Sequence, residues 1–112
     1  MLARANRVVL PADFRSAVRR GRRATTPSAI YYRLATTPSS PLRVGVIVTK
    51  EIGNAVHRNL VRRRLRALGR GLVDAGLRGE DVVIRVRPGS AQLSWDSLSA
   101  DMHDVLDSPV AH

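Results

Sequence analysis

The sequence predicts an α+β sandwich, one sheet with three helices in the order αβββαβα or αββαβα. Three observations carry that expectation. A long basic segment, residues 55–74, repeats its apolar residues at helical spacing, and shorter segments on either side of it do the same. Between these helices lie brief β-branched runs closed off by Pro, Gly and Ser.

Met1 to Val9 reads as a basic lead-in carrying Arg4 and Arg7. Pro11 suits a first helical turn, where its missing N–H is not needed, and Asp13 complements the positive end of the helix dipole. Phe14, Ala17 and Val18 recur at i, i+3 and i+4, and Gly21 is placed to end the helix. Arg22 to Thr26 is a short strand or a loop. Ala29 to Ala35 is a strand, with Ile30, Tyr32 and Leu34 on one face and Tyr31 and Arg33 on the other. Leu42 to Thr49 is the strongest strand, and a hairpin across residues 36–41 is its natural link to the preceding one. Asp81 to Arg87 is a further strand, stopped by Pro88 and Gly89. The last helix spans Leu93 to Leu106 with Ser94 as N-cap. Trp95, Leu98, Met102, Val105 and Leu106 form its apolar stripe, while Asp96 and Asp101 face solvent. The chain is expected to be a single domain, 1–112, with loose ends at about 1–8 and 108–112.

The segment Gly53 to Arg70, GNAVHRNLVRRRLRALGR, organises the rest. Asn54 is its N-cap. Val61, Leu65, Leu68 and Leu72 share one narrow stripe, with His57 near enough to it for partial burial. Asn59, Arg63, Arg66 and Arg70 project from roughly the opposite side, with Arg62 on the flank. An ordinary exposed helix mixes charges and pairs them at i,i+4. No such pairing is expected here, so five or six guanidinium groups repel one another on one face. A polyanion relieves that repulsion, and nucleic-acid binding follows.

Charge distribution points the same way. The net charge is +10. Residues 1–73 carry fifteen Arg and one Lys against Asp13 and Glu51, a net +14, and residues 74–112 carry a net −4. A cationic side is implied, not a uniformly basic protein. The chain has no cysteine, which excludes disulfides, zinc fingers and thiol catalysis. No apolar run approaches membrane-spanning length and no signal-peptide core is present, so a cytoplasmic protein is expected. Catalysis by these side chains alone is not expected either. The acids are scattered, Asp96, Asp101 and Asp104 are spaced for a solvated helix face, and His57, His103 and His112 lack evident partners.

Lys50, Gly53-Asn54-Ala55-Val56, Arg58-Asn59, Val61-Arg62-Arg63 and Arg66 resemble the signature of the bacterial ribonuclease P protein subunit. Asn6-Arg7, Asp13-Phe14, Tyr31-Tyr32, the RVGVIVTK run and Asp81 to Leu93 fall in the same order and spacing. The resemblance implies a two-layer αβββαβα sandwich with a mainly antiparallel sheet and a left-handed crossover at the central helix. It also implies endonucleolytic removal of the 5′ leader from precursor tRNA. The catalysis is assigned to an RNA subunit that uses Mg²⁺, held by that RNA and the substrate instead of by a protein site. Partners are then the ribonuclease P RNA and the leader, with no membrane and no obligate protein partner. Matching positions imply that Lys50, Asn54, Arg58, Asn59, Arg62, Arg63 and Arg66 meet the catalytic RNA. Phe14, Val18, Tyr32 and Arg87 would hold the leader between the sheet and the first helix. Glu51 and Leu60 depart from the pattern and lower the local positive charge; Glu51 either pairs with a neighbouring Arg or faces away. Val18 replaces a second aromatic, and Arg85, in place of an apolar residue, would add a phosphate contact. Two other readings are a ribosomal or ribosome-assembly protein and a DNA-binding regulator. The second needs base-reading side chains and a dimer seam, which the central helix does not offer.

Overall fold

The computed structural model describes residues 2–90 and 93–108. Its elements are α1 (Pro11–Arg20), β1 (Arg22–Thr25), β2 (Ala29–Ala35), β3 (Arg43–Ile47), α2 (Ala55–Asp74), β4 (Glu80–Val86) and α3 (Trp95–Leu106). The first of the two expected orders is therefore the one adopted, with Arg22–Thr25 as a strand.

The strands lie in the order β1-β2-β4-β3, with β1, β2 and β4 antiparallel and β3 parallel to β4. The hairpin expected across residues 36–41 does not form, because β4 inserts between β2 and β3. β4 is buried at six of its seven positions, and such a strand needs both faces covered and a neighbour on each edge. The 36–41 segment instead clamps the start of β4. Thr36 N donates to Gly79 O at 2.9 Å, and Gly79 N donates to Ser40 O at 2.7 Å. The free edge of β3 is closed by the lead-in, where Val8 N donates to Val44 O at 3.0 Å and Asn6 Nδ2 to Leu42 O at 2.9 Å. Leu2 and Val8 of this lead-in are buried, at 1% and 6% exposed, while Ala3, Arg4 and Ala5 are exposed. At the other end, residues 109–112 of the expected loose tail lie outside the described residues.

Both faces of the sheet are covered, α2 and α3 on one and α1 on the other. Tyr31, Val44, Val82 and Ile84 pack against Val61, Leu65, Leu68 and Leu72 of α2 and Leu98, Met102 and Leu106 of α3. On the opposite face Tyr32 and Val83 pack against Ala17 of α1, flanked by Phe14, Ile30, Leu34 and Ile47. Gly45 lets α1 approach: a Cβ there would lie 2.5 Å from the Phe14 ring. On α3, Ser94 Oγ caps by accepting from Ser97 N at 3.1 Å. Two expectations for this helix fail. Trp95 sits in the first turn, beyond the core, and is 44% exposed. Asp101 turns inward, accepting from Ser28 Oγ at 2.6 Å.

Two ion pairs lock β4 in place. Arg33 donates to both Glu80 oxygens at 2.7 and 2.9 Å, with side chains only 5% and 1% exposed. Its Nη1 also donates to Val105 O at 3.0 Å and Ser108 O at 2.7 Å, placing a cation at the negative end of α3. Arg43 grips Asp81 at 2.8 and 2.6 Å and reaches Asp13 of α1 at 3.3 Å. Removing one partner of a buried pair leaves an uncompensated charge. Glu80→Gln is expected to destabilise the protein by about 3 kcal/mol, read as a lower denaturation midpoint with an unchanged slope.

Candidate nucleic-acid interface

α2 begins at a backbone turn that requires glycine: Gly53 has φ 141°, where a side chain is strained. Asn54 then caps the helix, its Oδ1 accepting from His57 N at 3.0 Å. The expected seam is buried at Val61, Leu65, Leu68 and Leu72. No residue from Ala55 to Leu60 is fully buried, and Val56 is 74% exposed. In this first stretch His57 is exposed and not partly buried. Angular position on a helix predicts burial only where something lies opposite.

The arginines of α2 divide into two groups. Arg64 donates to Leu93 O at 3.0 Å and ties α2 to the approach of α3. Arg70 pairs with Asp74 at 3.2 Å, an i,i+4 bridge contrary to expectation, although exposed on both sides. Arg58, Arg62, Arg63 and Arg66 make no ion pair among the described residues. Arg62 Nη1 donates to Asn59 Oδ1 at 2.8 Å, which fixes the direction of its fork. Asn59 joins Arg62, Arg63 and Arg66 around one shallow hollow, and Arg63 and Arg66 line a second one with Arg7. Burial first, then the Arg7 and Arg62 guanidiniums, lower the pKa of Arg66 below the usual arginine value. Arg7 is the residue that sequence reasoning left out of the site. Its signals were the basic lead-in and the Asn6-Arg7 match, but nothing local shows that it folds back beside α2. Lys50 is exposed in a 3-10 turn, Lys50–Ile52, just before the helix. Glu51 is exposed and has no Arg partner among the described residues, which leaves the facing-away alternative.

The second surface lies where α1 crosses the sheet. Phe14 is partly buried over Gly45 of β3, and at the other end of the helix a Cβ on Gly21 would lie 3.2 Å from the Arg33 backbone of β2. Val18 is 40% exposed. Beside the helix, one sheet row stays open: Thr25, Ile30, Arg85 and Ile47 face each other in register across β1, β2, β4 and β3. Arg87 is exposed at the end of β4, its Nη1 donating to Thr26 O at 3.1 Å. Tyr32, expected in the leader set, is instead 7% exposed beneath α1. Its ring supports the cleft and offers no free face for stacking.

Among the described residues no three His, Asp or Glu side chains come together as metal ligands, and no helix is long and apolar enough to cross a membrane. Asp13, Glu80 and Asp81 are already committed to Arg43 and Arg33.

A family model described as Ribonuclease P matches residues 2–109. The "Ribonuclease P protein component" of Clavibacter michiganensis subsp. michiganensis is 51% identical over 110 residues, spanning 98% of this chain and 97% of that protein. That of Pseudarthrobacter chlorophenolicus is 43% identical over 108 residues, 96% of this chain and 79% of the relative. Among solved structures, the RNase P protein from Thermotoga maritima superposes with a TM-score of 0.80 at 18% identity, covering 94% of this chain and 98% of that one. The Staphylococcus aureus protein gives 0.76 at 21% identity, covering 93% and 94%. At these identities the superpositions speak for the fold.

The Asn54 cap separates folding from binding. Asn54→Ala is expected to lose about 1 kcal/mol of stability. Asn54→Asp should recover the cap while adding a negative charge to the cationic end of the surface. Thermal melts and RNA-binding measurements on both variants check this: stability returns in the aspartate variant, and affinity for RNA does not.

Proposed function

The chain belongs to the ribonuclease P protein family, and from that premise we propose that it assists a catalytic RNA in cutting the 5′ leader from precursor tRNA. One observation carries the reading: Arg58, Arg62, Arg63 and Arg66 of α2, exposed or partly exposed, have no carboxylate partner among the described residues. A folded RNA brings phosphates at the density needed to relieve them, and arginine forks take phosphate oxygens two at a time.

In this reading Arg58, Arg62, Arg63 and Arg66 grip the backbone of the RNA subunit, and Arg7 extends the grip from the lead-in. Asn59 holds Arg62 in its pose. Asn54 has its side-chain oxygen occupied by the cap, so its amide nitrogen is what remains to donate to a phosphate. Lys50 adds a mobile point charge beside the helix start. The leader lies in the cleft between α1 and the sheet, against Phe14 and Val18, with Arg87 at its rim and Tyr32 supporting the floor. Single-stranded RNA is held in this manner, with bases against apolar and aromatic side chains and cations along the backbone. Residues 1–112 act as one RNA-binding unit.

Among the described residues Asp13, Glu80 and Asp81 are already paired with arginines and no three acids or histidines converge. In this reading Mg²⁺ is held by the RNA and the substrate, and the protein's part is binding and positioning. The cytoplasm, where transcripts are made, is the proposed location. The ribosomal-protein alternative is not favoured, since the family match spans nearly the whole chain.

Reconstitution with the cognate RNA over a Mg²⁺ series tests the proposal. The protein alone should leave precursor tRNA intact, and adding it to the RNA should restore cleavage at Mg²⁺ concentrations where the RNA alone is slow. Identical Mg²⁺ dependence with and without protein would reject it.

A further inference from the structure

β4 is buried at every position but one, and that position is Arg85. An arginine projecting from the middle of a central strand is unusual chemistry for a sheet. Its neighbours in register are Ile30 on β2 and Ile47 on β3, both partly buried. Val83, two residues back on the same face, is 0% exposed under α1, so the edge of α1 falls between those two rows. Phe14 stands over Gly45 in the row beside Arg85. The acids carried by the elements of this face, Asp13 and Asp81, are both held by Arg43. The Arg85 side chain makes no hydrogen bond or ion pair among the described residues.

The surroundings decide what such a group meets. Phosphates stay at the wet rim, where Arg87 stands. A floor of isoleucines beside a phenylalanine ring is instead covered by the flat face of a base. A guanidinium rising between the isoleucines then confronts a base edge and not the backbone. Its two parallel N–H groups need two adjacent acceptors. On the major-groove edge guanine offers O6 and N7, adenine and cytosine each place an amino donor there, and uracil offers one acceptor. Cytosine N3 and O2 on the Watson–Crick edge are the other adjacent pair, so enrichment of cytosine in place of guanine would overturn the assignment to guanine. We infer that Arg85 reads a guanine in the leader, which makes it a specificity residue of the cleft and not the phosphate contact expected from sequence. This inference rests on the leader reading above.

The test uses the reconstituted holoenzyme and a pool of precursor tRNAs with randomised leaders, sequenced after capture, with mature tRNA as competitor. Wild type should enrich guanine at one leader position by about tenfold. Arg85→Leu should lose that enrichment. Arg85→Gln should move the preference at the same position to adenine, whose N6 and N7 match an amide. Because Arg85 is exposed, neither variant disturbs the core. Persistence of guanine in Arg85→Leu, or an equal loss across all leaders in both variants, would overturn base reading and leave a phosphate contact. Wild type that prefers precursor over mature tRNA without any guanine preference would overturn it too, with the leader reading intact. Failure to prefer precursor at all would remove the leader reading and this inference with it.

Discussion

Like charge held at close range on one helix is the constraint on which everything else depends. Neighbouring guanidiniums one turn apart repel by about 0.7 kcal/mol at roughly 6 Å in water, and by several times that against a protein surface. Each buried seam residue of α2, Val61, Leu65, Leu68 and Leu72, contributes about 1.5–3 kcal/mol of apolar burial. The seam therefore wins, and the helix forms with its cations exposed and crowded. That arrangement stores an attraction for a polyanion in a surface already shaped to receive it.

The acids of the C-terminal half could in principle have relieved the crowding, and the fold spends them elsewhere. Glu80 and Asp81 open β4 and bind Arg33 and Arg43, while Asp101 turns in toward Ser28. These contacts fix the sheet order, the end of α3 and the seating of α1. Asp74 pairs with Arg70 at the far end of the helix, while Arg58, Arg62, Arg63 and Arg66 make no ion pair among the described residues. The structural arginines and the unpaired arginines of α2 are thus separated by where the acids are anchored.

Much of this was legible before any coordinates. The α2 limits, the Asn54 cap and the seam depend on local spacing, which a sequence displays directly. The Arg70–Asp74 bridge is equally local, but Asp74 lies beyond the basic run. What failed was non-local. Placing β4 between β2 and β3 requires knowing that β4 needs partners on both edges, and adjacency in the chain suggested a hairpin instead. His57 and Trp95 carry the right helical phase but lie in first turns with nothing opposite. Tyr32 shares a face with Ile30, yet α1 covers one and leaves the other open. Arg7 joins the α2 sector through a lead-in that looked unanchored, because Leu2 and Val8 gave no sign of being buried.

The central claim is that the unpaired sector of α2 neutralises RNA phosphates. Its most direct measurement is affinity for the cognate RNA subunit over a range of salt concentrations. The account predicts a steep loss of affinity with salt, and a slope shallower by about 1.5–2 when Arg62 and Arg63 are both replaced by alanine. A slope that stays the same in that double variant would contradict it.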